Sequence, residues 1–355
     1  MDKTEELLKA LTEADGVPGF EDEVRAVIRP RMEKLGQVEM DKLGSLVCRM
    51  NGNGPTIELV AHMDEVGFMI KHITKDGFLK FIPLGGWWDQ VLLGHRVMIK
   101  TRKGDVMGVL GAKPPHLLPA EERKKVVEKK DMYIDIGACS ADEVAEAGVR
   151  IGDVAVPDSD FQVLTPKKRY LSKAFDDRVG CAVLLDVLQA LSEEKRPNRV
   201  VGVASVQEEV GTRGAKTSVS MVEPDVAIVL ESGIAADVPG IPDEVYEEKL
   251  GGGPSVGVYD AGMIVHTKLY RLVQDIAEEA GIPIQPSFMT GGATDGRQIQ
   301  QYGDGVPTIV IAVPARHIHS HNSIIHRDDY DNTVKLVTAL VKSLDGVMIE
   351  SLNDY

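Results

Sequence analysis

The sequence predicts an α/β protein: a mostly parallel-sheet domain interrupted by a small all-β barrel. Three observations lead there. Towards both ends of the chain, short apolar β-type runs alternate with amphipathic helical patterns. Between about residue 67 and residue 165 the pattern changes to closely spaced β-type runs separated by glycines, which suits a barrel or sandwich better than βαβ units. The length, 355 residues, exceeds one ordinary domain and is ample for a buried core. The expected division is a discontinuous α/β domain over 1–66 and 166–355, with an inserted barrel over 67–165.

The elements follow in order. Leu7, Leu8 and Leu11 share one helical face after Thr4, and Val24, Val27, Ile28, Met32 and Leu35 another after Gly19. Ile57 to Ala61 reads as a buried strand. The insert supplies strands at Phe68–Ile73, Phe78–Ile82, Val97–Lys100, Asp105–Leu110 and Tyr133–Ile136, punctuated by Gly77, Gly85–Gly86, Gly104 and Gly111. Beyond residue 170 come an apolar helix from Val179 to Leu191, a β-branched strand from Arg199 to Val206 and a short run from Val226 to Leu230. An amphipathic helix at Leu269–Ala280, a strand at Thr308–Val313 and a closing helix at Val334–Leu344 complete the reading.

Charge excludes one class of partner. Lys and Arg total 40 and Asp and Glu 55, a net charge of −15, which repels phosphate backbones, so no nucleic-acid partner is expected. The basic cluster Arg123, Lys124, Lys125, Lys129 and Lys130 alternates with Glu121, Glu122 and Glu128 and reads as a solvated helix face. No run approaches the roughly 20 apolar residues that span a bilayer. Met1–Glu6 is charged, unlike a signal peptide, and Cys48, Cys139 and Cys181 suggest neither a disulfide framework nor a cysteine metal site. The expectation is a cytoplasmic protein with no membrane partner.

Five separated segments place acidic or imidazole side chains at or just past apolar runs. They are His62-Met63-Asp64, Asp176-Asp177, Glu208-Glu209, Glu231 and Arg316-His317-Ile318-His319-Ser320-His321. In open α/β sheets, ligands gather beyond the carboxyl ends of the strands. Two or more histidines converging there with several carboxylates form the donor set of a divalent metal site. His317, His319 and His321 alternate, so a strand would turn all three to one face.

The same residues carry a resemblance. His62-Met63-Asp64-Glu65-Val66-Gly67, Phe175-Asp176-Asp177-Arg178-Val179-Gly180, Gln207-Glu208-Glu209-Val210-Gly211, Gly291-Gly292-Ala293-Thr294-Asp295 and Pro314-Ala315-Arg316-His317-Ile318-His319-Ser320 resemble the signature segments of the M42 metallo-aminopeptidases, a family that includes glutamyl aminopeptidases and TET peptidases. The similarity runs nearly end to end. It implies an enzyme that trims N-terminal residues from short peptides with two divalent metal ions per subunit, Zn or Co, with Mn also credible. Asp176 would bridge the ions, His62 and Glu231 would hold one, and Glu209 and His319 the other. Glu208 would be the general base and acid, and Asp64 would stand behind His62 to orient it. The resemblance also implies a cis peptide at Asp176–Asp177. Many relatives have Asp where this chain has Glu231.

The carboxylates alone leave other readings. A glycosidase needs two acids and no metal, which gives His62 and His319 no use. A dimetal deacylase or amidase would share the chemistry, and an inactive assembly scaffold would most simply lack Glu208. The insert contains no expected ligand, and Trp87-Trp88 sits there in an apolar stretch, so the barrel is expected to serve oligomerisation. The resemblance implies a homo-oligomer, from dimer up to dodecamer.

Overall fold

The computed structural model describes residues 1–165, 168–242 and 248–354, and contains a twelve-stranded mixed sheet and a closed six-stranded barrel. The expected boundary at 165/166 falls beside Pro166 and Lys167, outside the described residues.

Six strands matter for the site: β1 (Thr56–His62), β2 (Arg199–Ser205), β3 (Val226–Ile234), β4 (Ser255–Asp260), β5 (Gln285–Met289) and β6 (Thr308–Arg316). The order β2-β1-β3-β6 forms the parallel heart of the sheet. Every residue of β1 is buried, as expected for a strand covered on both faces, which explains why it reads as a continuous apolar run. The margins are antiparallel: Leu46–Arg49 and Gln37–Met40 flank β2, and Ser323–His326 followed by Arg169–Ser172 flank β6. These short strands were not among the expected elements. A stretch such as Gln-Val-Glu-Met at 37–40 is too short and too polar to announce itself.

Strand alternation separates two cores. Ile57, Leu59 and Ala61 of β1 pack with Leu8 and Leu11 of α1 (Lys3–Glu13) and with Val183, Leu184 and Leu188 of α2 (Phe175–Ser192). Val60 points the other way, with Val201, Val203 and Val229, under Ala215 and Val219 of α3 (Arg213–Val222). Helix α1 starts one residue before Thr4, where Asp2 and Glu5 form a capping box. The amphipathic helix α4 is close to expectation at Thr267–Ala280.

Helix α5 spans Arg327–Ser343 and so begins earlier than the expected Val334. Its cap is the His326 imidazole, which accepts from the Asp328 amide. Asp329 instead accepts from the amides of Gly251 and Gly253, tying the helix to that loop.

The barrel closes through Gly67–Ile73, Leu79–Leu84, Tyr133–Asp135, Gly104–Gly111, Arg96–Thr101 and Val154–Pro157, in that order around the ring. Phe68, Ile70, Phe81, Val97, Ile99 and Leu110 fill it. Trp87 stacks on Phe68 with ring centroids 4.9 Å apart and donates its indole N–H to the Gly67 carbonyl, so it belongs to the core, whereas Trp88 is 62% exposed. The basic cluster does not lie on a helix: residues 120–125 form turns and Lys129–Asp131 a single 3₁₀ turn. Pro114, Pro115 and Pro119 and the lack of an apolar stripe explain this, because nothing there gives a helix a face to bury.

Candidate metal centre

The site is built where β1, β2, β3 and β6 end beside the start of α2. His62 is the last residue of β1. Its Nδ1 lies 2.9 Å from the Asp64 carbonyl, which can only accept, so Nδ1 carries the proton and Nε2 faces the cleft. The His62 amide donates to Asp177 Oδ2 at 3.1 Å, and the other oxygen of that carboxylate accepts from Gly180 N at 3.0 Å. Asp177 thus ties the end of β1 to the first turn of α2.

Asp176 and Asp177 have non-helical backbone angles, and the peptide between them is cis, as the resemblance implies. One oxygen of Asp176 faces each imidazole: Oδ1 is 3.3 Å from His62 Nε2 and Oδ2 is 3.1 Å from His319 Nε2. Glu231 Oε2 is 3.9 Å from His62 Nε2, and Glu209 Oε1 is 3.3 Å from His319 Nε2. Ligand atoms of His62, Asp176 and Glu209, and separately of His62, Asp177 and Glu231, all lie within 4.8 Å of one another. Each oxygen of Asp177 accepts from a backbone amide, so in the second group it is an anchor between β1 and α2 as well as a candidate donor.

The five expected segments do meet, but three details differ from expectation. Glu231 lies inside β3, which runs on to Ile234, and not past its end. The triple-histidine tract is not a strand. β6 stops at Arg316, and His317 and His319 have φ of 62° and 54°, so the chain coils and brings only His319 to the centre, while His321 stacks on His95. Finally, the Asp64 carbonyl is the nearer partner of His62 Nδ1, at 2.9 Å, with the carboxylate Oδ1 3.6 Å from the same nitrogen. The Asp64 carboxylate accepts from the amides of Glu208 and Glu209 at 3.0 and 3.1 Å, fixing the segment that carries both glutamates.

The electrostatics describe a cluster short of positive charge. Burial, followed by the proximity of other carboxylates, raises Glu208 and Glu231 well above the usual carboxylate range, and burial raises Glu209 as well. Burial alone would lower both imidazoles. Hydrogen bonds to Asp176 and Asp64 nevertheless hold His62 well above its ordinary value, and contacts with Asp176 and Glu209 push His319 up to about 11. Burial would raise Asp176, but the two imidazoles facing it win and hold it low. A set of two imidazoles and several carboxylates gathered this closely fits divalent metal ions.

Several positioning residues carried no role in the sequence reading. Arg178, fully buried, donates to the carbonyls of Met63, Leu11, Ala14 and Gly16 and lies 3.4 Å from Glu65, locking α1 and the His62–Asp64 turn against α2. Lys173 pairs with the same Glu65 and with Asp15. Arg178 lies within a quoted motif, so its signal was present without a role attached, whereas Lys173 falls two residues before that motif. The inserted barrel contributes as well: the Gly86 carbonyl accepts from His319 Nδ1 at 2.7 Å. The Gly85–Gly86 pair was the available sign of a close approach.

A cleft of about 560 Å³ opens over this centre, lined by Glu208, Gly86 and the 291–294 loop among others. The sequence profile of the M42 glutamyl aminopeptidase family matches residues 44–336. A TET aminopeptidase from a Thaumarchaeota archaeon of marine sediment is 47% identical with a TM-score of 0.97, over 99% of both chains. The glutamyl aminopeptidase of Lactococcus lactis is 35% identical over 98% of each chain. The TET1 peptidase of Pyrococcus horikoshii, which can assemble into a tetrahedron or a large octahedral shell, is 35% identical with a TM-score of 0.87, covering 96% of this chain and 100% of that one. The alignment of donors at the sheet's carboxyl edge and the match across most of the chain lead to one conclusion: this protein belongs to the M42 glutamyl aminopeptidase family, whose members are peptide hydrolases.

Proposed function

We propose that the chain is a dimetal aminopeptidase that removes N-terminal residues from short peptides. In this reading two divalent ions would be held by Asp176 together with His62 and Glu231 on one side and Glu209 and His319 on the other. The observation that carries it is the Asp176 carboxylate standing between two imidazoles, one oxygen to each, with a further carboxylate beside each ring. Both imidazoles have their outer nitrogen held by a carbonyl, as metal-ligating histidines commonly do. Bound there, a pair of divalent ions would supply an acidified water and polarise the scissile carbonyl.

Glu208 lines the cleft but pairs with neither imidazole among the described contacts, which suits a proton carrier better than a ligand. It takes the proton of the attacking water and returns it to the departing amine nitrogen. Asp64 holds it in place through the backbone amide. A glycosidase mechanism has no use for the two anchored imidazoles.

The protein is further proposed to work as a closed homo-oligomer, dimer up to dodecamer. The related P. horikoshii peptidase assembles, and Trp88, Leu93 and Leu117 in the insert are 62%, 42% and 80% exposed here.

The test of function is end-selectivity. Free-amine peptides should be shortened one residue at a time, and their N-acetylated counterparts refused. Equal cleavage of both by the metal-loaded protein would move the reading to a deacylase or endopeptidase.

A further inference from the structure

Beside the metal cleft, sharing Glu231, Ser232 and Thr294 with it, is a second, smaller cavity of about 50 Å³. That is room for about three to five water-sized groups, the size of a side chain of four or five heavy atoms and too little for an indole. Its walls include Ile234, Met263, Met289 and Val310, which suit an aliphatic stem. They also include two carboxyl groups, Glu248 and Asp260, whose residues are 2% and 6% exposed. No lysine, arginine or histidine is among the described residues lining it, and Arg297 lines the cleft but not this cavity.

Both carboxyls are held in place. Asp260 accepts from the Gly262 amide at 2.6 Å and from the Thr294 hydroxyl at 3.1 Å, leaving each oxygen a further lone pair. Glu248 accepts from Ser255 and packs on the bare backbone of Gly233, where a Cβ would lie 2.9 Å from its Oε2. Gly233 is two residues beyond Glu231 on β3, so the acidic wall and the metal centre share one strand.

Resting on the aminopeptidase reading, we propose that this cavity receives the side chain of the peptide's first residue. Glu248 and Asp260 make it a site for an unbranched aliphatic stem ending in a cation, lysine above all, and closed to glutamate and aspartate. The stem lies against the methionines and Val310, and the ammonium finds two carboxyl groups already oriented. An acidic side chain would be desolvated beside those carboxyls with no basic side chain among the described lining residues to meet it, so the metal-loaded enzyme discriminates against it.

The experiment compares kcat/KM on the nitroanilides of lysine, leucine and glutamate with metal-loaded protein, in the native sequence and in Asp260→Asn and Glu248→Gln. The native enzyme should rank lysine first and glutamate last. Each variant should lower the lysine-to-leucine ratio, by roughly tenfold or more for Asp260→Asn. Because the ratio is taken within one preparation, a smaller folded fraction cancels. Leucine or glutamate ahead of lysine, or a ratio that neither variant changes, overturns the pocket assignment while leaving the aminopeptidase reading standing. Failure to turn over any free-amine substrate overturns both.

Discussion

On the proposed reading, Glu208 serves proton transfer and His62 metal binding, and variants of the two separate these roles. Glu208→Gln keeps the size and the backbone anchor to Asp64 but cannot carry a proton. Its kcat should fall by roughly 10²–10⁴-fold, the usual loss when a general acid–base is removed, while metal content by elemental analysis stays at the native level. His62→Ala should lower metal content as well. Full turnover in the Glu208 variant would place the base elsewhere. Arg178 tests the scaffold: Arg178→Met leaves Lys173 as the remaining charged partner of Glu65 among the described contacts and takes a guanidinium donor from four carbonyls, and should cost about 3–5 kcal/mol in denaturant unfolding, as for other broken buried pairs. At this scale the sequence was informative about which residue types converge, because their placement after apolar runs repeats five times. It was silent on which atom does what. That Asp64 holds His62 through its carbonyl and the glutamates through its carboxylate depends on a turn whose angles no residue pattern specifies.

The junction between the barrel and β6 is the element on which the His319 side of the centre depends. Gly85 has φ +84°, and a Cβ there would lie 2.6 Å from Val66 Cγ1 and 2.9 Å from Glu209 Oε2. Gly85→Ala should therefore displace Glu209 and the Gly86 carbonyl together, weakening metal retention more than it weakens folding. A chelator competition with the native protein alongside measures this, and unchanged retention would contradict it. A second element-scale case is β1, where Glu58 is fully buried and neither carboxylate oxygen has a partner. Burial, followed by the Asp295 charge, raises its carboxyl from an ordinary 4.5 to about 8. The folded state thus holds a proton that the unfolded chain releases, and the penalty grows as pH rises from 4.5 and is complete above 8. Glu58→Gln should gain stability relative to the native protein at pH 9 compared with pH 6, by up to about 3 kcal/mol, since each pH unit between 6 and 8 weighs about 1.4 kcal/mol. A difference that does not change with pH would contradict the assignment. Long buried strands such as β1 were legible because both faces are covered. The antiparallel margins and the run-on of β3 past Leu230 were not, because pairing partners far away in sequence decide them.

For the molecule as a whole, the α/β class and the barrel were legible from the change of texture near residue 67, since glycine-punctuated strands and strand–helix alternation are different solutions to burying a face. The contribution of the barrel to the centre was not. Gly86 reaches His319 across 233 positions of chain, and only the folded molecule brings them together. The proposed assembly predicts that light scattering will find a closed multimer of 38.6 kDa subunits, while a fully active monomer at micromolar concentration would contradict it. The central claim is that catalysis belongs to a pair of divalent ions held by His62, Asp176, Glu209, Glu231 and His319. It is tested most directly by stripping the protein with chelator and titrating Zn, Co or Mn back while following hydrolysis of a free-amine substrate. Activity should be absent at the start and return in step with bound metal, reaching its plateau near two ions per chain. Undiminished activity in the metal-free protein would contradict the account.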